Sequence, residues 1–193
     1  MKNYRNPSLV VAAIAMIALV AAPLVAEDTG DWRSMKRDAK RAKIDEMASE
    51  ALATLFKENP QAKELMDSAH GWAVFDNLKI ALGVSGGGGN GVAVDAGAEK
   101  RTYMKMGTVG VGLGLGGKKY QVVFLFQDET TFANFVEKGW QADASASAVA
   151  GTEGAGGQTG FVNGMAIYMI TDKGLMASAD VSGTKYWKDS KLN

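Results

Sequence analysis

The sequence predicts an α+β domain: N-terminal helices followed by a mostly antiparallel, glycine-rich, strongly curved or barrel-like sheet, with one further short helix. Three observations predict it. Ile44, Met47, Ala48, Ala51, Leu52, Leu55 and Phe56 follow three-four spacing, the apolar stripe of a half-buried helix. After His70-Gly71 the period drops to two. In GTVGVGLGLGGKK (107–119), Gly110, Gly112, Gly114 and Gly116 alternate with Val109, Val111, Leu113 and Leu115. That is a strand with one apolar face and one bare face. Helices first, then short strands punctuated by glycine, is the order of an α+β fold.

Residues 1–26 read as a secretory signal peptide. The basic lead MKNYRNPS is followed by an unbroken apolar run from Leu9 to Ala26 and then the acidic EDTGDW, which is the tripartite pattern of export. A run of this length also suits an uncleaved N-terminal anchor. The expected location is periplasmic or secreted, peripheral on a membrane. The chain has no cysteine, which excludes disulfides and a lipidated cysteine. Residues 27–193 then make one domain, with a helical segment over 27–68 and a β-rich core over 69–193.

The first helix is predicted over Asp31–Phe56. Asn59 caps a second, over Gln61–Ser68, with Pro60 in its first turn. Trp72–Phe75 and Ile80–Val84 read as strands, and GGGGNG (86–91) as a hairpin turn into Val92–Val94. Thr102–Met106, the glycine strand and Tyr120–Phe126 continue the sheet. The last of these is apolar on both faces and is placed centrally. Asp128–Lys138 is a helix resting on Phe132, Phe135 and Val136 and stopped by Gly139. WQADASASAVAG (140–151) alternates small and polar residues, TEGAGGQTG (152–160) is a loop, and Phe161–Ile170 and Leu175–Val181 close the sheet.

Signals of chemistry are weak. Gly86, Gly88 and Gly91 have dinucleotide spacing, but no helix follows them. Gly112, Gly117 and Lys118 approach a phosphate loop, yet Lys119 stands where Ser or Thr is required. One histidine, His70, and no cysteine cannot build a classical zinc site or a His-assisted nucleophile. Asp76, Asp95, Asp143, Asp172 and Asp180 are scattered, with no spacing that pairs them. The reading is of a non-enzyme with no catalytic residue, metal or cofactor.

Charge is more informative. Lys and Arg total 21 against 21 Asp and Glu, which argues against a nucleic-acid partner. Residues 33–43, however, carry six basic residues against Asp38 alone. Arg33, Lys36, Arg37, Lys40 and Arg41 share one helical face, Lys43 follows, and Trp32 suits a membrane interface. This face points within about 45° of the later apolar stripe at 100° per residue. Either the first three turns overhang the domain, or the helix bends near Lys43. A charge run of this kind is also simply a solvated face.

Two functions fit. One is binding of anionic phospholipid at a membrane surface through Trp32, Arg33, Lys36, Arg37, Lys40, Arg41 and Lys43. The other is an envelope scaffold that binds a protein partner, or itself, without direct lipid contact. The bare face of Gly110, Gly112, Gly114 and Gly116 either lets another element approach closely or forms a slot for an acyl chain.

Four blocks resemble the SYLF family. GWAVFDNLKIALGVSGGGGNGVAV (71–94) resembles its opening, an apolar strand followed by a short Lys-bearing link and a glycine-rich hairpin. TVGVGLGLGGKKYQVVFLF (108–126) is similar to its glycine strand and central strand. WQADASASAVAG resembles its small-residue strand. DKGLMASADVSGTKY (172–186) is similar to its closing motif, with Lys173, Gly174, Leu175, Ala177 and Gly183 in place, Met176 for an aromatic residue and Ser178 for glycine. The resemblance runs from about Met35 onwards and implies a lipid-binding module. In eukaryotic relatives that module binds phosphoinositides with help from a basic N-terminal helix, and some members bind actin.

Overall fold

A computed structural model describes residues 29–142, 160–175 and 183–193, with side chains described throughout except at 29–30, 81–84 and 111–115. Helix α1 (Thr29–Glu58) runs without interruption and is followed by α2 (Pro60–Asp67). The Asn59 side chain accepts the Ala62 N–H and Pro60 occupies the first turn of α2, so the cap and the start residue both sit where their chemistry favours them. Strands β1 (Gly71–Asp95) and β2 (Lys100–Phe126) form one long antiparallel ribbon, paired from Gly71↔Phe126 to Asp95↔Lys100. The turn between them is held by Asp95, whose Oδ1 accepts the N–H groups of Gly97 and Ala98.

The ribbon is not straight. Residues of a strand 17 positions apart would be separated by about 56 Å at 3.3 Å per residue, yet a side chain on Gly91 would overlap the Val74 carbonyl and the Phe75 ring. One on Gly89 would overlap the Asp76 carbonyl, and one on Gly87 would stand 2.6 Å from that of Leu78. The second half of β1 therefore lies against its first half, and β2, paired along the whole length, folds with it. The register slips between Leu82 and Val84, a bulge at the bend. GGGGNG is thus not the hairpin turn predicted from its composition. It is strand, and its glycines remove side chains where backbone meets backbone.

Folding the ribbon leaves an eight-stranded antiparallel sheet, strongly curved and not closed. The N-terminal part of β2 pairs with β6 (Thr184–Lys188), which carries β3 (Trp140–Gln141). Its C-terminal part pairs with β4 (Met165–Thr171), which carries β5 (Gly174–Leu175). Tyr120–Phe126 lies between β1 and β4, the central place its two apolar faces require. Val122, Phe124 and Phe126 enter an inner core with Phe75, Met104, Phe135 and Tyr186. Val123 and Leu125 alternate into an outer core with Ala48, Leu52 and Leu55 of α1. The inner core is a set of ring contacts, among them Phe75–Tyr186 at 4.7 Å and Phe126–Phe135 at 4.9 Å between centroids, each adding about 0.5–1.5 kcal/mol beyond area burial.

Helix α3 (Glu129–Ala133) begins at Asp128, which accepts the Thr131 N–H, and continues through one π-helical turn, Asn134–Lys138. Gly139 then stops it at φ 73, a conformation open to glycine. The closing strands differ from the expectation at their ends. Strand β4 starts at Met165, because Asn163 and Gly164 both adopt positive φ and make a tight turn bridged by Val162 and Met165. Strand β6 lies C-terminal to the predicted Leu175–Val181, of which only Leu175 falls among the described residues. The small-residue stretch after Ala142 also lies outside them.

Two glycines of β1 make opposite predictions. Gly86→Ala meets nothing within 4 Å and removes backbone entropy from the unfolded chain, so urea denaturation should show no loss and up to about 1 kcal/mol of gain. Gly89→Ala drives its methyl into the Asp76 backbone and should cost on the order of 3 kcal/mol or more.

Candidate functional site

The candidate site is the N-terminal third of α1. Ile44 is the first buried residue of the helix, and from Asp31 to Lys40 every side chain is exposed except the half-buried Ser34. The first three turns overhang the body, and the helix continues through Lys43. Trp32 is 62% and Met35 61% exposed. They lie three residues apart and so are neighbours on the helix surface. Lys36 stands over the Trp32 ring at 5.7 Å from the ammonium to the centroid, a cation–π contact that orders both side chains.

The basic residues divide into two groups. Arg33, Lys36, Arg37 and Lys43 project from the exposed turns. Among the described residues Arg37 pairs only with Asp38, at 3.8 Å, and a surface pair of this kind contributes about 0–1 kcal/mol. Lys40 and Arg41 instead belong to the docking of the helix. Arg41 donates through Nε to the Leu192 carbonyl at 2.7 Å, lies 5.4 Å from the Tyr103 ring centroid and contacts Asp38 at 3.3 Å. Lys40 reaches Asp189 at 3.8 Å. One turn on, Asp45 accepts from Arg101 at 2.9 Å and from the Tyr103 hydroxyl at 3.0 Å. Sequence spacing put five cations on one face, and it had no means to tell those meeting the sheet from those meeting solvent. Arg41 and Leu192 are 151 positions apart.

The docking rests on a C-terminal latch that sequence reasoning missed. The Asn193 side chain donates to the Tyr103 carbonyl and accepts the Tyr103 N–H, while the Asp189 N–H also donates to that carbonyl. Asp189 is buried, 2% exposed, with Lys105 at 3.2 Å. Burial alone would raise its carboxyl. The Lys191 N–H, the Lys105 ammonium and the Lys40 ammonium outweigh burial and hold it below the ordinary carboxylate value. Tyr103 moves the other way, pushed up by burial and by its bond to Asp45.

The glycine face is only partly described. A side chain on Gly110 would stand 3.1 Å from the Ser85 hydroxyl, and one on Gly116 would meet nothing within 4 Å. The surroundings of Gly112 and Gly114 lie outside the described residues. Close approach by glycine is instead seen in β1, as above. The scattered aspartates are less scattered than their spacing implies. Asp76 and Asp172 border one cleft of about 510 Å³ with Asn77, Lys119, Tyr120 and Gln121. His70 lies 3.5 Å from Asp95 and packs on Phe132. Among the described residues no group of acidic and histidine side chains is arranged to hold a metal ion, and no helix is long and apolar enough to cross a membrane.

Residues 107–193 match the family model described as "Las17-binding protein actin regulator", the SYLF domain. The chain is 47% identical over 158 residues, 81% of its length, to Beta cell expansion factor A of Aeromonas veronii. The match spans 60% of that relative's length.

The latch has a pH signature. A carboxyl held down in the folded state contributes its full stability above its unfolded value, about 3.9, and loses it as pH falls through the folded value. Asp189→Asn should cost about 1.5–3 kcal/mol at pH 7, and the gap to the parent should narrow in urea titrations as pH falls below about 3.9. Within the described residues β2, β4 and β6 fall largely in the stretch, residues 107–193, that matches the SYLF family model.

Proposed function

We propose that this chain is a non-enzymatic, exported protein that binds anionic phospholipid at a membrane surface, with the overhanging turns of α1 as its contact. The observation that carries the reading is the set of exposed side chains there, Trp32 and Met35 beside Arg33, Lys36 and Arg37, with the exposed Lys43 just past the docking residues. None of these side chains belongs to either core. Trp at a membrane interface places its ring at headgroup level, and each Lys or Arg near an anionic leaflet adds about 1 kcal/mol. The match of residues 107–193 to the SYLF family model supports the same reading, and the basic lead and apolar run of residues 1–26 support export. The name of the matched family model speaks of a protein partner, so a scaffold role is the outcome to be told apart.

The structure refines which charges to remove. Lys40 and Arg41 hold the helix on the body, so their loss would confuse binding with docking. Arg33→Gln, Lys36→Gln and Arg37→Gln together should leave thermal stability unchanged and weaken sedimentation with phosphatidylglycerol vesicles by roughly a hundredfold. Binding of the parent should fall steeply as salt rises, since exposed charges are screened over about 8 Å at 0.15 M. If the parent ignores vesicles in low salt but retains a protein ligand through the same residues, the scaffold role stands in place of the lipid one. For export, mass spectrometry of the protein from cells should give a product starting near Glu27. A full-length product fixed in the membrane indicates an anchor.

A further inference from the structure

A second exposed apolar group stands at the bend of the β1–β2 ribbon, beyond a cleft that Leu78 shares with Met47 and Thr54 of α1. Leu78, Ile80 and Val109 are 43%, 49% and 73% exposed. Alternation from Val74, an outer-core residue, puts Leu78 and Ile80 on the outer face of β1. Val109 pairs with Gly86, and a side chain on the adjacent Gly87 would lie 2.9 Å from both the Lys79 Cα and the Thr108 methyl. The fold-back therefore brings Val109 and Ile80 to the same end of the molecule, although 29 residues separate them. The polar docking contacts of α1 lie elsewhere, where Arg41 and Asp45 meet β2 at Tyr103 and Arg101.

Charge surrounds this group. Lys79 pairs directly with Lys118, and Lys119 follows opposite Leu78. Like charges set directly opposite each other weaken a strand pair. None of the three has an ion-pair partner among the described residues, and Lys119 shares its cleft with Asp76 and Asp172 without such a contact. Exposed Leu, Ile and Val beside unpaired lysines lower the stability of the isolated chain. By the same alternation Lys119, opposite Leu78, shares the outer face with Leu78 and Ile80, while Lys79 and Lys118 project from the other face of the ribbon, so cations flank the apolar group on both sides.

We propose that this bend is a membrane-insertion tip. Leu78, Ile80 and Val109 enter the boundary between headgroups and acyl chains, and Lys79, Lys118 and Lys119 meet the phosphates around them. The proposal rests on the membrane reading of α1 but uses a different part of the chain, so the two can fail separately.

The absence of cysteine makes the test direct. Ile80→Cys, Val109→Cys and, as a control on the exposed face of α2, Glu64→Cys are each labelled with a nitrobenzoxadiazole probe. Their folding is checked by circular dichroism. With vesicles of phosphatidylglycerol and phosphatidylethanolamine, the probes at 80 and 109 should shift to the blue, brighten several-fold and be quenched by nitroxide-bearing lipid. The probe at 64 should not respond. Lys79→Gln, Lys118→Gln and Lys119→Gln together should weaken vesicle binding by on the order of a hundredfold. Protein that sediments with vesicles while its probes at 80 and 109 stay in water overturns the tip and leaves the α1 contact standing. Failure to sediment at low salt overturns both. A blue shift without vesicles that grows with protein concentration assigns the patch to a second copy of the chain and also overturns the tip.

Discussion

The whole architecture depends on backbone lying against backbone at the middle of β1. Gly87, Gly89 and Gly91 come so close to the carbonyls of Leu78, Asp76 and Val74 that no side chain fits at these positions. Because β2 is in register with β1 on both sides of the bend, the fold of one strand is imposed on the other. Met104 and Met106 are carried over Phe75 and Phe124, and an enclosed inner core results. The same fold sets Val74 beside Val92 on the outer face, so that one helix, α1, seals both halves. Glycine in a strand is entropically unfavourable and contributes no packing of its own. Here its cost is offset by two cores on opposite faces of one sheet, in which each large buried side chain stabilises by about 1.5–3 kcal/mol.

Helix α1 is positioned by polar contacts of unequal quality. Asp45 accepts from both Arg101 and Tyr103, and Arg41 donates to a main-chain carbonyl that the C-terminal latch holds in place. Hydrogen bonds to charged groups contribute about 1.5–3 kcal/mol each, whereas the exposed Arg37–Asp38 pair adds little. The latch therefore decides where the buried part of α1 ends and how much of it extends into solvent. Chemically similar residues, Arg37 and Arg41, lie one turn apart and do different work.

Much of this was legible in the sequence. The apolar stripe of α1, the Asn59-Pro60 junction, the central strand and the helix after Asp128 follow from periodicity and capping, which are local. What was illegible is long-range. GGGGNG reads as a turn because glycine makes turns, and nothing nearby reveals that Val74–Leu78 will lie against it. Thr184–Lys188 pairs with β2 through residues some 80 positions away, and its own short sequence has no alternation strong enough to mark it. In the candidate site, spacing placed Trp32 and the cations correctly on one helix. It could not divide them, because the division is made by Tyr103, Asp189 and Leu192.

On the membrane reading, the two exposed groups act over different distances. Charge on Arg33, Lys36, Arg37 and Lys43 is felt over about 8 Å at physiological salt, so it can draw the protein to an anionic surface before contact. Apolar transfer operates only once water is displaced, at about 25 cal/mol per Å². Trp32 and Met35 occupy the overhang with these cations, so attraction and shallow burial coincide there. Ile80 and Val109 are held by a folded ribbon rather than by a single overhanging helix, and they cannot swing towards the bilayer independently of the sheet. A rigid apolar tip keeps its side chains exposed in solution at a standing cost, and it loses little conformational entropy on insertion. This is the energetic pattern of a contact made after capture, with the helix supplying attraction and the sheet supplying a fixed wedge.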